Sequence, residues 1–312
     1  MNFMPAAVDI GSHTARLLVA NVFYSNGVLC LRPELVRRNY IFIASEMSSG
    51  RVIEKTSISR TVAIIKDYTD LALSHKTPQV DGIATGVIRN AVNGEAFIRR
   101  LNRIDGFNCR IISGEEEAIL TAKGVLNSLK TTSDSIIFDL GGGSTEFIFL
   151  EKNIVSKIKS LPLGCMSLTK KFLWKNGKNM FLKLNEYIMD IMDREIGFYP
   201  TAHLIGTGGT VASTAAVCRD IQQDHIGYKS LHEQKISFSE VDNLYGIIIN
   251  MSLAEIVNNM HIEEARAKVL PAGLSILKNI MIYAKAESLT VSMSGLLEGV
   301  ILSNMEENSH EH

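Results

Sequence analysis

At 312 residues the chain is about two ordinary domains long, and 46% hydrophobic with 21% charged residues is a globular composition that excludes a disordered, collagenous or disulfide-scaffold protein. Thirty-two Lys and Arg against 33 Asp and Glu leave a net charge of −1, so no global field draws a nucleic acid or an anionic membrane, and any polyanion must be held by local groups. Cys30, Cys109, Cys165 and Cys218 lack zinc-ligand spacing and read as buried free thiols of a reducing compartment; with no leader-like N-terminus and no apolar run near the roughly 20 residues of a membrane span, the expectation is a cytoplasmic protein.

Residues 5–20 read as a buried strand, a polar turn and a second strand, and residues 28–35 extend that sheet. Ile58, Val62, Ile65, Tyr68 and Leu71 repeat at the period of an amphipathic helix. Strands over 80–85 and 109–112, with a helix over 94–101 between them, alternate in the βαβ manner that implies parallel pairing. A helix over 115–126 and a polar stretch over 127–134 suggest a boundary, giving domains of 1–126 and 127–305, with the last helix able to pack back on the first domain, and a polar, frayed tail over 306–312. The tail's His310 and His312 read as a solvated end rather than a metal pair.

Residues 135–150 are again strand, glycine turn, strand. Aligning Asp9-Ile10-Gly11 with Asp139-Leu140-Gly141 gives a period of 130 residues, too long for a solenoid and suited to two homologous domains. Residues 204–212 run from a strand into a helix through Gly206-Thr207-Gly208-Gly209-Thr210. The remainder is helical over 238–251, 262–284 and 296–305, with a strand over 288–292.

An aspartate closing a buried strand, followed at once by glycine and then Ser or Thr, gathers backbone N–H groups and hydroxyls into a concavity that suits phosphate. Glycine lets an anionic oxygen approach the main chain. Such turns also merely shape hairpins, and either aspartate also suits an Asx bond that caps its own turn; two of them 130 residues apart favour the ligand-binding sense. In that sense Asp9 and Asp139 contact Mg²⁺, directly or through water. The Gly206–Thr210 loop opens a helix, whose N-terminal N–H groups and dipole favour an anion. Of Glu115, Glu116 and Glu117, at least two fit a first helical turn on dipole grounds alone. Glu146 begins an otherwise apolar strand and needs a partner, for which the phosphate loop or its metal is nearest.

These blocks resemble the exopolyphosphatase and guanosine pentaphosphate phosphohydrolase family, within the superfamily of sugar kinases, actin and heat-shock chaperone ATPases. The resemblance covers nearly the whole chain. It rests on Asp9 to Ser12 with Arg16-Leu17, Ala84-Thr85 with Arg89, Asn93-Gly94, Ile112 to Ala118, Phe138 to Glu146, Leu163-Gly164, Gly206 to Thr210, and Ser294-Gly295-Leu296 with Glu298-Gly299-Val300. It implies an α/β protein of two actin-like, ribonuclease H-like domains with an interdomain cleft, hydrolysing a terminal phosphoanhydride with Mg²⁺ or another divalent cation. Glu117 matches the proposed general base and Glu146 the second catalytic carboxylate, with attacking water held between them. Asp139 and Glu146 take the metal. Asp9, Gly11, Ser12, His13, Arg89, Gly141, Gly142, Gly143, Ser144 and Thr145 take the phosphates, and Gly206, Gly208, Gly209 and Thr210 form a third nucleotide or phosphate loop. The substrates implied are polyphosphate or guanosine penta/tetraphosphate, with no nucleic acid or membrane partner and room for a homodimer.

Three positions depart from the family pattern. His13 stands for Asn, Phe42-Ile43-Ala44 for Arg-Leu-Gly, and Leu297 for Arg. Two missing arginines predict weaker capture of long polyphosphate. The alternative function is a nucleotide or polyphosphate sensor of the same superfamily with little turnover.

Overall fold

Alternation of period two builds the first sheet. In the computed structural model, which describes residues 4–130, 134–173, 179–197, 203–222 and 225–310, β1 (Ala6–Ile10), β2 (Thr14–Ser25) and β3 (Val28–Tyr40) form an antiparallel meander. The chain continues through α1 (Ile43–Glu46), α2 (Lys55–Ser74), β4 (Val80–Ala84), α3 (Gly86–Arg89), α4 (Gly94–Leu101), β5 (Phe107–Ile111) and α5 (Gly114–Ser128). β4 and β5 add in parallel, giving the order β3-β2-β1-β4-β5. Val8, Ile10, Leu17 and Val19 enter a core with Ile65, Tyr68, Phe97 and Leu101 of α2 and α4. The intervening Ala7 and Asp9, with Arg16 and Leu18, therefore belong to the opposite face.

The second sheet is built the same way. β6 (Ser135–Leu140), β7 (Thr145–Glu151) and β8 (Ile154–Leu161) form the meander, followed by α6 (Cys165–Leu168), a π-helical turn (Thr169–Leu173), α7 (Asn179–Glu195), β9 (His203–Thr207) and α8 (Gly209–Cys218). Then come α9 (Tyr228–Leu231), β10 (Lys235–Ser237), α10 (Phe238–Ile248), α11 (Leu253–Met260), α12 (Glu264–Ala267), α13 (Leu270–Tyr283), β11 (Ser288–Val291) and α14 (Leu296–His310). The order is β10-β11-β9-β6-β7-β8: the first sheet's meander and two parallel strands again, with one antiparallel edge strand added. Its core takes Ile136, Phe138, Leu140, Phe147 and Phe149 on one face, with α7, α8, α10 and α13.

Packing divides the chain into residues up to Ser128 with those from Gly295 onward, and Leu129–Ser294. α14, which the sequence places within 127–305 but allows to pack back on the first domain, thus belongs to the first unit, and glycines show why. A Cβ at Gly124 of α5 would overlap the Gly295 carbonyl oxygen, and one at Gly299 of α14 would overlap the Leu120 carbonyl, so the two helices cross with backbones in contact. Leu296, Leu297, Val300 and Ile301 then share an apolar cluster with Ala7, Leu18, Ala20, Ile83 and Leu120. α14 also continues to His310, five residues beyond the predicted end and through most of the expected frayed tail; Glu306 in that stretch pairs with Lys123 at 2.6 Å. His312 lies outside the described residues. All four cysteines are free as expected, but only Cys109 and Cys165 are buried, while Cys30 and Cys218 are half-buried.

Candidate functional site

The 130-residue repeat holds at the level of single hydrogen bonds. In the first hairpin Asp9 is the cross-strand partner of Arg16, and Gly11 N–H donates to the Thr14 carbonyl at 3.0 Å. In the second, Asp139 partners Glu146 and Gly141 N–H donates to the Ser144 carbonyl, again at 3.0 Å. The same turn is folded twice, and the residue facing the aspartate differs in charge. Where the first copy neutralises its aspartate with an arginine, the second sets two carboxylates directly opposite each other.

That second turn is held from behind. The carbonyls of Gly141 and Gly142 accept the N–H groups of Cys165, Met166 and Ser167 at 3.0–3.1 Å; separately, the N–H groups of Gly142 and Gly143 have no acceptor among the described residues. Gly164 must lack a side chain, since a Cβ there would overlap the backbone of Gly142 and Gly143. The expected residues take unequal parts. Ser144 and Ser160 both donate to Glu146 Oε1, at 2.7 and 2.8 Å, so the Ser144 hydroxyl serves the carboxylate rather than a phosphate. Thr145 is fully buried and turns its hydroxyl inward to the Leu163 carbonyl, so its predicted phosphate contact is replaced by a tie to the segment after β8. Nothing in the sequence marks Ser160; it reaches Glu146 because β8 pairs with β7 at that position.

Gly208 lies beside Asp139: a Cβ there would stand 2.7 Å from Asp139 Oδ1, and its φ of +97° suits glycine. The Gly206–Thr210 loop is therefore part of the Asp139 site. Arg266 was not legible from sequence either. Its guanidinium packs on Gly209 at the start of α8, where any Cβ would overlap it. Thr210, expected in this loop as a ligand, is buried against Gly273 instead.

Facing carboxylates repel, so Asp139 and Glu146 suit a shared cation. Two oxygen-bearing side chains fit Mg²⁺, which keeps waters and takes its other ligands from phosphates; among the described residues no group of three or more His, Cys, Asp or Glu forms a self-sufficient metal cage.

In the first unit, Ser113 caps α5 by accepting the Glu116 N–H at 3.0 Å, which sets the acidic first turn. Glu116 pairs with Arg110 at 2.5 Å. Glu117 lies 3.5 Å from Arg89 Nη1, which also donates to the Ile112 carbonyl at 2.7 Å. Asp9 is buried, with Oδ2 accepting Arg16 Nε at 3.1 Å and Nη2 at 2.8 Å. The carbonyls of Ser12 and His13 accept the N–H groups of Ala44, Ile41 and Phe42. Phe42, with φ of +54°, stacks on Tyr40 and meets the His13 ring edge-on at 5.9 Å, with Arg60 over its ring. Leu297 is 6% exposed inside the apolar cluster. It does not stand at an open polyanion-binding position; the missing arginine has been replaced by core.

A model of the Ppx/GppA phosphatase family matches residues 36–308. The chain belongs to that family. It is 27% identical over 318 residues to a bifunctional 3-dehydroquinate synthase/phosphatase of Fusobacterium nucleatum, covering 98% of this chain and 47% of that protein. It is 23% identical over 320 residues to a guanosine-5'-triphosphate,3'-diphosphate pyrophosphatase of Aliivibrio fischeri, covering 99% of this chain and 60% of that protein. The chain thus spans about half of these relatives' length. Among solved structures it resembles the Ppx/GppA family member of Aquifex aeolicus, at 26% identity and a TM-score of 0.84 with 98% of both chains covered. An exopolyphosphatase of Cytophaga hutchinsonii shares the fold, at 20% identity and a TM-score of 0.86 over 97% of this chain and 98% of that one. No helix of the described residues is long and apolar enough to cross a membrane.

Proposed function

We propose that the chain hydrolyses a terminal phosphoanhydride, releasing orthophosphate from inorganic polyphosphate or guanosine pentaphosphate, with Mg²⁺ or a similar divalent cation. The observation that carries this reading is the second hairpin, where Asp139 and Glu146 oppose each other beside a glycine turn whose Gly142 and Gly143 N–H groups have no acceptor among the described residues. Opposed carboxylates are tolerated where a cation is to be bound, and unpaired N–H groups where an anion is. A metal phosphate supplies both.

Bound there, the cation would neutralise phosphate charge as the bridging bond breaks. Asp139 and Glu146 would hold it, with Ser144 and Ser160 fixing the Glu146 carboxylate through Oε1. The turn N–H groups of Gly142 and Gly143 would orient phosphate oxygens. Glu117 would take the proton of the attacking water, and Arg89, anchored on the Ile112 carbonyl, would fix the Glu117 carboxylate beside it. No side-chain nucleophile is needed, since phosphoryl transfer rests on positioning and electrostatics.

Orthophosphate release from polyphosphate chains and from guanosine pentaphosphate, measured with Mg²⁺ and again after chelation, tests the proposal. Metal-dependent release from either substrate supports it. Tight binding without release from both would assign the chain to the sensor class instead.

A further inference from the structure

Three acidic side chains are buried among the described residues, Asp9, Glu146 and Glu298, and Glu298 has no task in the reaction proposed above. It stands in the first turn of α14, where Oε2 accepts the Gly295 N–H at 2.7 Å. A first-turn Glu that reaches back to an N–H is an ordinary helix-start contact, but one such bond does not offset the desolvation of a carboxylate so deep. Burial pushes the Glu298 carboxyl above the usual carboxylate range, and the N–H groups of Gly295 and Glu298 together with the charge of Arg16 oppose that push.

Arg16 is within electrostatic reach for a topological reason. α14 packs on the face of β1 and β2 that presents Ala7, Leu18 and Ala20, against Leu296, Leu297 and Val300. Two residues further along each strand on that same face stand Asp9 and Arg16, and these two are cross-strand partners. Asn304, later in α14, donates to Asp81 Oδ2 at 2.7 Å, at the level of Ala7, and the charge of Arg16 acts on Glu298, so the first turn of α14 lies toward the Asp9–Arg16 end of the face. The backbone contact of α5 and α14 at Gly124 and Gly299 sets the helix register that brings it there, and α5 is also the helix that bears Glu117.

We propose that Glu298 is a positioning residue of the first phosphate turn, sharing the Arg16 guanidinium with Asp9 and so fixing the direction of the Asp9 carboxylate. Asp9 Oδ2 accepts from both Nε and Nη2 of Arg16, while Oδ1 is buried and has no hydrogen-bond partner among the described residues. Arg16 and Asp9 can shift together as a pair, since both bonds between them end on one carboxylate oxygen. With the Glu298 charge acting on the guanidinium from the α14 side, Arg16 would keep Oδ1 aimed in one direction for the water or phosphate of an incoming substrate. The catalytic part of this inference rests on the hydrolase reading; the anchoring of Asp9 does not.

Glu298→Gln tests it, since the amide keeps the size and an oxygen for the Gly295 N–H while losing the charge. Because Asp9 is misaimed rather than removed, kcat for orthophosphate release from Mg²⁺-tripolyphosphate should fall about tenfold with KM within about twofold of the parent, and Glu298→Asp, which keeps the charge, should recover part of the loss. Independently of turnover, amide hydrogen exchange over residues 9–18 should quicken about tenfold in Glu298→Gln at an unchanged Tm. An unchanged kcat in an active enzyme, a loss of kcat that merely follows the folded fraction, or unchanged exchange over residues 9–18 overturns the proposal. If the parent protein releases no phosphate from any substrate, the hydrolase reading fails, and the exchange measurement still decides whether Glu298 anchors the Asp9–Arg16 pair.

Discussion

Gly143 separates ligand binding from folding, because a side chain there would enter open space. A Cβ at Gly143 meets no atom within 4 Å, and the residue is not among the glycines with positive φ. Gly143→Val should therefore fold with stability within roughly 1 kcal/mol of the parent, as surface substitutions do. The isopropyl group would nevertheless stand before the turn's N–H groups. A phosphate oxygen must come to about 2.9 Å from such a nitrogen, whereas a methyl carbon holds other heavy atoms at roughly 3.5–4.0 Å. Losing a hydrogen bond to a charged acceptor costs about 1.5–3 kcal/mol, so one lost bond lowers kcat/KM by roughly 10- to 10²-fold, and two by the product. The assay is orthophosphate release under Mg²⁺ alongside a thermal melt. Gly164→Ala is the contrasting variant: its Cβ would overlap the backbone of Gly142 and Gly143, so it should lower Tm as well as activity. A Gly143→Val enzyme with kcat/KM within twofold of the parent would refute the reasoning and leave the turn as a hairpin closure only.

Glu117→Gln should still bind substrate while kcat falls on the order of 10²–10⁴-fold, checked by calorimetric binding beside steady-state rates; near-parental turnover would return Glu117 to a helix-start role. Leu297→Arg should lower stability by about 3–5 kcal/mol in urea titration rather than improve capture of long chains, because it forces an unpaired charge into the cluster of Ala7, Leu18 and Leu120. Gly299→Ala should prise α14 from α5 and lower the midpoint of unfolding, since its Cβ meets the Leu120 carbonyl; an unchanged midpoint would mean that the backbone contact yields easily. Glu240, held down to about 2 from 4.5 first by Arg219 and then by Ser237, has a folded pKa below its unfolded one. Its contribution is therefore complete above the ordinary carboxylate range and is lost as pH falls from about 4.5 towards 2. The stability difference between the parent and Glu240→Gln should close over that interval, and a pH-independent difference would contradict the ion pair's role.

Local pattern made much of this protein legible. Alternation and turn chemistry located the two hairpins, and Asp9 and Asp139 announced a repeat whose register the structure reproduces down to the Gly11–Thr14 and Gly141–Ser144 bonds. The α/β class followed, because strand and helix periods are properties of neighbouring residues. Other features were closed to a reading along the chain. Thr145 and Thr210 carry the right hydroxyl in the right motif, and only packing turns them inward, against Leu163 and Gly273. Ser160 and Arg266 join the site from segments without any motif, because strand pairing and helix docking bring distant residues together. Leu297 looked like a lost arginine beside a ligand until α14 was seen to fold back on the first unit. The sequence allowed that return without fixing it; it depends on backbones meeting at Gly124 and Gly299, 175 residues apart, a contact that no local pattern specifies. What the sequence determined by itself was therefore each turn and its chemistry, which depend on short-range backbone geometry; which polar atoms face a ligand and which face the core was decided by the tertiary structure, through contacts between residues far apart in the chain.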